Sequence, residues 1–139
     1  MITIKRVKEL SLSEVRQFTP HARSEWRKLR GWRPLFYAEL TRMWALWRGS
    51  KLVCVIGLKR LTLAGGGAEV FFFLGKDMHE HLISTIAFVR RAIRRVLSCM
   101  NALTVHVEPQ FWIGNRFVKH LGFTLEKETY EYNIYRMVR

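Results

Sequence analysis

The stretch Val107 to Phe123 reads VEPQFWIGNRFVKHLGF, and it is the part of the sequence that decides the fold. An apolar strand ends at the proline, and a short helix is expected to begin near Phe111. The helix stops at Leu121-Gly122-Phe123, because a glycine just after the last helical residue readily takes the left-handed conformation that ends a helix. Asn115 lies early in this helix. The segment therefore predicts a strand, a short helix and a return of the chain.

The clearest helix of the sequence comes before this segment, from His81 to Met100. Apolar residues recur along it at spacings of three and four, which places them on one buried stripe. Arginines occupy the other side, namely Arg90, Arg91, Arg94 and Arg95, and a solvated helix face explains them. The helix connects two apolar runs, Glu69–Leu74 and Leu103–Val107. A helical crossover of this kind joins strands that run in parallel.

The rest of the chain is predicted to form five further strands and two short helices. The strands are Ile2–Val7, Met43–Arg48, Lys51–Leu58, Thr124–Lys127 and Tyr130–Val138, and the helices are Ser11–Phe18 and His21–Arg30. Gly49-Ser50 is a two-residue hairpin turn, and Ser11 with Glu14 forms a capping box. This order predicts an α/β (α+β) fold in a single domain, 1–139, with a mixed, mostly antiparallel sheet flanked by helices.

Composition bounds the class of protein. The 139 residues are 49% hydrophobic and 25% charged, as in soluble globular proteins, and no run reaches the roughly 18 apolar residues of a membrane span. The N-terminus does not resemble a signal peptide. Cys54 and Cys99 lie among apolar residues, which predicts two buried free thiols and a reducing, cytoplasmic location.

The net charge of +13 is unevenly distributed. Residues 1–60 hold 14 Lys and Arg against 4 Asp and Glu, whereas residues 61–139 hold 10 against 7. A basic N-terminal half favours an acidic partner, either a protein or nucleic acid, or else only a soluble surface. Between Arg16 and Arg48, eight basic residues alternate with aromatic residues. Exposed aromatic rings there would stack on bases, whereas buried ones would belong to the core.

The element order and the run Asn115…Leu121-Gly122-Phe123 resemble the GNAT N-acetyltransferase superfamily across essentially the whole chain. The resemblance implies that the two parallel strands splay apart around acetyl-CoA and that an amine substrate enters over the N-terminal helices. It implies a carboxylate base, Glu69 or Glu108, acting directly or through water, although either can be a solvated strand-end residue. It also implies cofactor-binding residues, which are Phe73, Leu74, Lys76, His81, Leu82 and Asn115.

The sequence departs from the family pattern at two places. Gly75–Leu82 reads GKDMHEHL and lacks the glycine run that approaches the cofactor diphosphate. Asp77 and Glu80 would repel that diphosphate, whereas the helix N-terminus and Lys76 would attract it. Val118 stands where many members carry the tyrosine that protonates the departing thiolate.

These departures leave two functions open, so activity as an enzyme is undecided from the sequence. The first is CoA-dependent acyl transfer to an amine. The second is a non-catalytic role as a virion component or binder of an acidic partner. The run Ile113-Gly-Asn115, followed by Arg116-Phe-Val-Lys119, resembles small GNAT-like proteins of short-tailed bacteriophages. This resemblance implies a location in the host cytoplasm or in a virion.

An exposed strand edge could also pair with a second copy of the chain. The histidines are interpreted as loop, cap or isolated residues, and no metal site is predicted.

Overall fold

The computed structural model describes residues 2–32, 42–60, 67–76, 78 and 82–139, with only the backbone described for residues 28–32 and 60. The elements are β1 (Ile2–Arg6), α1 (Leu12–Val15), α2 (Pro20–Trp32), β2 (Arg42–Arg48), β3 (Lys51–Arg60), β4 (Gly67–Leu74), α3 (Leu82–Ser98), β5 (Ala102–Val107), α4 (Trp112–Leu121), β6 (Thr124–Glu128) and β7 (Asn133–Val138). Their order is the predicted one. The differences lie at the ends of elements, chiefly a shorter α1 and a later start of β7.

The strands form a seven-stranded sheet in the order β1-β2-β3-β4-β5-β7-β6. The sheet is mostly antiparallel, and its parallel pair is β4 with β5, which α3 connects. The parallel ladder is short, because it joins only Gly67–Glu69 to Ala102–Thr104. This architecture confirms the predicted α+β fold.

The residues group into two compact units that share β4 and α3. The first comprises Met1–Lys59 and Phe71–Thr85, and the second comprises Arg60–Val70 and Ile86–Arg139. In the first unit, Phe18, Trp26 and Phe73 form an aromatic core, with ring centroids 5.0 to 6.0 Å apart. The prediction of one domain over 1–139 stays a prediction.

Gly75 has a structural role in the first unit. Its amide donates to the Val53 carbonyl at 2.8 Å, and a Cβ at this position would lie 2.1 Å from the carbonyl oxygen of Leu52. Any larger side chain would therefore push β3 and β4 apart. The glycine that precedes α3 is thus required by the close approach of two backbones.

The run Leu121-Gly122-Phe123 ends α4 in the second unit. Gly122 has a φ of 107°, in the left-handed region, and its amide donates to the Lys119 carbonyl. The Phe123 amide donates to the Val118 carbonyl, so the unpaired carbonyls of the last turn are satisfied. Leu121 and Phe123 are both buried. The run is a helix stop anchored on both sides in the core, as the sequence predicts.

Some predictions about burial are wrong. Cys99 is exposed, because it follows the last turn of α3, whereas Cys54 is buried in β3. Burial raises the pKa of the Cys54 thiol to about 12. Phe71 and Phe72 are only half-buried, so β4 is not covered completely on both faces.

Of the helices described, none is long and apolar enough to cross a membrane.

Candidate active site

Glu69 and His106 form a carboxylate–imidazole pair beside the parallel ladder. Glu69 of β4 lies opposite Thr104 of β5, and His106, two residues further along, projects from the same face of its strand. The distance from Glu69 Oε1 to His106 Nδ1 is 2.8 Å, with side chains 18% and 33% exposed. The Tyr132 ring meets the imidazole edge-on, with centroids 5.7 Å apart. Glu69 of β4 and Tyr132, just before β7, therefore both orient the imidazole of His106.

The pair determines which nitrogen of His106 can do chemistry. In the neutral imidazole, Nδ1 carries the proton that it donates to Glu69, so Nε2 holds the lone pair. No other described residue contacts Nε2 by a hydrogen bond. The hydrogen bond and charge of Glu69 raise the pKa of His106, against the opposing effect of partial burial. His106 is therefore an oriented base whose protonation depends on Glu69.

Replacement of Glu69 by glutamine is expected to lower the pKa of His106. The neutral amide no longer stabilises the imidazolium, and NMR titration of the His106 ring protons measures the change. Because the folded-state pKa is raised, the pair stabilises the fold below the unfolded-state pKa, and this contribution is lost as pH rises through the folded-state pKa. Glu9→Gln, at an exposed carboxylate of the first unit, is the matched control. An unchanged His106 titration in Glu69→Gln would contradict the assignment.

Asn115 is the centre of a buried hydrogen-bond network. Its Nδ2 donates to the carbonyls of Glu108 at 3.0 Å and Phe111 at 2.8 Å. Its Oδ1 accepts from Asn133 Nδ2 at 3.0 Å and from the Tyr135 hydroxyl at 2.7 Å. The amide thus ties the end of β5 and the start of α4 to β7. A contact between this side chain and a cofactor would have to replace one of these bonds.

The first turn of α3 gathers polar groups that suit an anion. Arg48, at the end of β2, donates from Nη2 to Ser84 Oγ at 3.3 Å. Arg48 Nη1 and the hydroxyl of the fully buried Thr85 have no hydrogen-bond partner in the described part of the chain. A buried donor without a partner costs about 1–3 kcal/mol, and a cation beside a helix N-terminus is disfavoured by the helix dipole. A phosphate group that accepted from Arg48 Nη1 would satisfy that donor and offset the charge of the guanidinium.

The other residues named from the sequence lie in different surroundings. The Phe73 and Leu74 side chains are buried, and the Leu74 carbonyl accepts from the Thr19 amide. Lys76 and Leu82 are exposed, and His81 lies outside the described residues, as do Asp77 and Glu80. The Glu108 carboxylate accepts from Gln110 at 2.9 Å. The structure thus joins Glu69 to His106, a histidine for which the sequence pattern predicts no partner.

The fold is found in solved N-acetyltransferases. PaiA N-acetyltransferase from Thermoplasma acidophilum, in complex with coenzyme A, superposes with a TM-score of 0.66 at 14% identity over 100% of this chain and 99% of its own. PseH N-acetyltransferase from Campylobacter jejuni, with acetyl coenzyme A, gives 0.63 at 16% identity over 100% and 99%. A variant of the spermidine N-acetyltransferase SpeG from Vibrio cholerae gives 0.63 at 12% identity over 99% and 93%.

These similarities show the fold. A putative acetyltransferase of the GNAT family from Desulfovibrio desulfuricans also superposes, with a TM-score of 0.64 at 14% identity over 99% of both chains. No family model and no curated protein sequence matches the chain. The chain therefore has the fold of GNAT N-acetyltransferases, as its sequence implied. Nothing in the comparisons supports the resemblance to phage proteins.

Proposed function

We propose that the chain transfers an acyl group from acetyl-CoA to an amine, with His106 as the general base. The observation that carries the proposal is the Glu69–His106 pair, whose 2.8 Å contact leaves Nε2 as the proton acceptor. The shared fold of solved N-acetyltransferases supports the same class of reaction. An amine is the proposed acceptor because the solved proteins that share the fold are N-acetyltransferases, and a base that accepts the amine proton suits this transfer.

In the proposed reaction, His106 and Glu69 have different roles. Bound acetyl-CoA would supply the acyl thioester. His106 Nε2 takes a proton from the amine, directly or through water, while Glu69 stabilises the resulting imidazolium. The amine nitrogen would then bond to the acyl carbon as the carbon–sulfur bond breaks. The departing thiolate would take up a proton from water, and the His106 imidazolium would give its proton to the hydroxide that remains, which restores the base. Val118 is buried and has no ionisable group, so it takes no part in this protonation.

The first turn of α3 is the proposed site for the cofactor diphosphate. Arg48 offers an unpaired donor beside Ser84, and the helix N-terminus adds backbone amides. An arginine reaching from β2 would do what a glycine run does by close backbone approach, since a guanidinium binds phosphate in a planar, paired geometry. Lys76 and Leu82 keep their predicted roles as cofactor-binding residues, and Asn115 maintains the shape of the end of β5.

Calorimetric titration with acetyl-CoA tests the proposal, followed by an assay of thiol release with spermidine and aromatic amines as acceptors. We expect wild-type binding, and we expect Arg48→Gln to weaken it about tenfold, because a hydrogen bond to a charged group is lost. Arg16→Gln removes an exposed arginine and serves as the control. Absence of heat at millimolar acetyl-CoA would overturn the proposal and favour the non-catalytic alternative, a basic protein that binds an acidic partner.

A further inference from the structure

We propose that α3 and α4 present a surface that binds the phosphate backbone of nucleic acid. The surface consists of five exposed cationic side chains, which are Arg91, Arg94, Arg95, Arg116 and Lys119, and it is called the arginine face below. All five belong to the second unit. The inference is independent of acyl transfer, because it involves neither the Glu69–His106 pair nor the first turn of α3.

Three of the four arginines of α3 make no polar side-chain contact within the described part of the chain. Arg91, Arg94 and Arg95 are exposed, and their side chains have no hydrogen bond or ion pair with any described residue. Their neighbour Arg90 differs, because its guanidinium donates to the His120 carbonyl in the last turn of α4. That bond places a cation at the negative end of a helix dipole, which is a structural role. It also brings α3 and α4 together on one surface.

Neither helix carries a carboxylate. The sequences LISTIAFVRRAIRRVLS and WIGNRFVKHL contain no Asp or Glu, so no acidic residue within either helix can neutralise its cations. Like charges four residues apart, such as Arg91 and Arg95, destabilise a helix by about 0.2–0.5 kcal/mol per pair. A merely solvated helix face would gain from interspersed glutamates. The absence of any glutamate on both helices favours a polyanionic partner.

The chemistry of the face favours nucleic acid over an acidic protein or a membrane. Four of the five cations are arginines, whose planar guanidinium matches phosphate oxygens in paired hydrogen bonds. Within the second unit, the other exposed positions of α3 are small, including Ala87 and Ser98, so no large apolar side chain of α3 adjoins the arginines there. The exposed Leu82 and Ile83 belong to the first unit, at the opposite end of the helix. On α4, Trp112 is 61% exposed, with Arg116 over its ring at 5.7 Å. An exposed aromatic beside cations suits a base next to its phosphate.

The N-terminal basic segment is a weaker candidate than the sequence suggests. Arg23 donates to the carbonyls of Arg16 and Phe18, and Trp26 is buried in the core. The chain therefore uses these groups for its own packing. Residues 33–41 of that segment lie outside the described residues. Nucleic-acid binding by the segment Arg16–Arg48 stays a prediction, and the present proposal is carried by the exposed cations of α3 and α4.

Fluorescence anisotropy with a labelled 20-nucleotide single strand and a 20-base-pair duplex, in increasing salt, tests the inference. We expect Arg91→Glu/Arg94→Glu/Arg95→Glu to weaken binding more than about tenfold and to reduce the salt slope by roughly two to three, since each phosphate contact contributes about 0.7–0.9 to it. Lys5→Glu/Lys8→Glu/Arg16→Glu is the matched control. It changes net charge equally, at three exposed residues of the first unit, and is expected to bind as wild type.

A variant with neutral substitutions tests whether a loss of binding results from misfolding. Arg91→Gln/Arg94→Gln/Arg95→Gln should melt like wild type and still lose affinity. Equal losses in the two charge-reversal variants would mean that binding follows net charge alone, which would overturn the inference. So would the absence of wild-type binding at low salt. Displacement of the strand by polyglutamate of equal charge, as efficiently as by unlabelled strand, would instead indicate an acidic protein partner and would also overturn it.

Discussion

Replacement of His106 by asparagine is expected to lower kcat/KM for acyl transfer by about 10²–10⁴-fold, the range that a positioned general base contributes. The asparagine amide can still donate to Glu69 from near the position of Nδ1, so the contact between β4 and β5 persists. What it lacks is a proton acceptor at the position of Nε2. The loss should therefore appear in kcat, measured by thiol release at saturating acetyl-CoA.

The pH profile separates a base from a merely structural histidine. Wild-type activity should rise as pH increases through the raised pKa of His106, and Glu69→Gln should move that rise to lower pH. In His106→Asn the rise should disappear. His120→Asn, at an exposed histidine of α4 whose side chain takes no part in the site, is the matched control with unchanged kcat/KM. A full rate in His106→Asn with intact acetyl-CoA binding would refute the assignment of the base without refuting acyl transfer.

Replacement of Asn115 by leucine is expected to destabilise the fold by roughly 2–4 kcal/mol, because four hydrogen bonds are lost and a buried hydroxyl is left without its partner. Asn115 is only 8% exposed and Tyr135 only 1%, so water cannot replace the missing amide. Denaturant unfolding measures the change as a lower midpoint at an unchanged slope.

Tyr135→Phe provides the comparison for Asn115. It removes one partner of the Asn115 oxygen while Asn133 remains, so a loss of about 1 kcal/mol is expected. In the double variant Asn115→Leu/Tyr135→Phe, no buried hydroxyl is left unpaired, and the combined loss should be smaller than the sum of the two single losses. Simple additivity would show that the two side chains are not coupled.

The sequence was sufficient for the element order because each element carries a local signal. The period of apolar residues in α3, the capping box at Ser11 and the left-handed Gly122 are all readable without knowledge of contacts. Each depends on residues within one or two turns of one another. The errors at Cys99 and in the extent of burial of Phe71 concern tertiary packing, which local pattern does not contain.

Of the two residues in the proposed carboxylate–imidazole pair, the sequence indicates only Glu69. The sequence predicts Glu69 as a candidate base on the central strand, but it contains no local signal that pairs His106 with it. Their partnership depends on the register of two parallel strands that lie more than thirty residues apart, and a shift of one residue would put His106 on the other face. The one available signal was that both residues lie on strands joined by a single crossover. The surroundings of Arg48 and Thr85 are likewise not predictable from local pattern, because the hydrogen bond from Arg48 to Ser84 joins distant parts of the chain.

The helix stop at Leu121-Gly122-Phe123 has a consequence for how chains of this fold are sorted by sequence. Its residues fulfil a backbone and packing requirement, which an inactive chain must meet as fully as an active one. A search keyed to this run would gather proteins by the way a helix ends. A search for an acidic residue on β4 together with a histidine on β5, in matching register, would instead gather them by the proton chemistry proposed for Glu69 and His106.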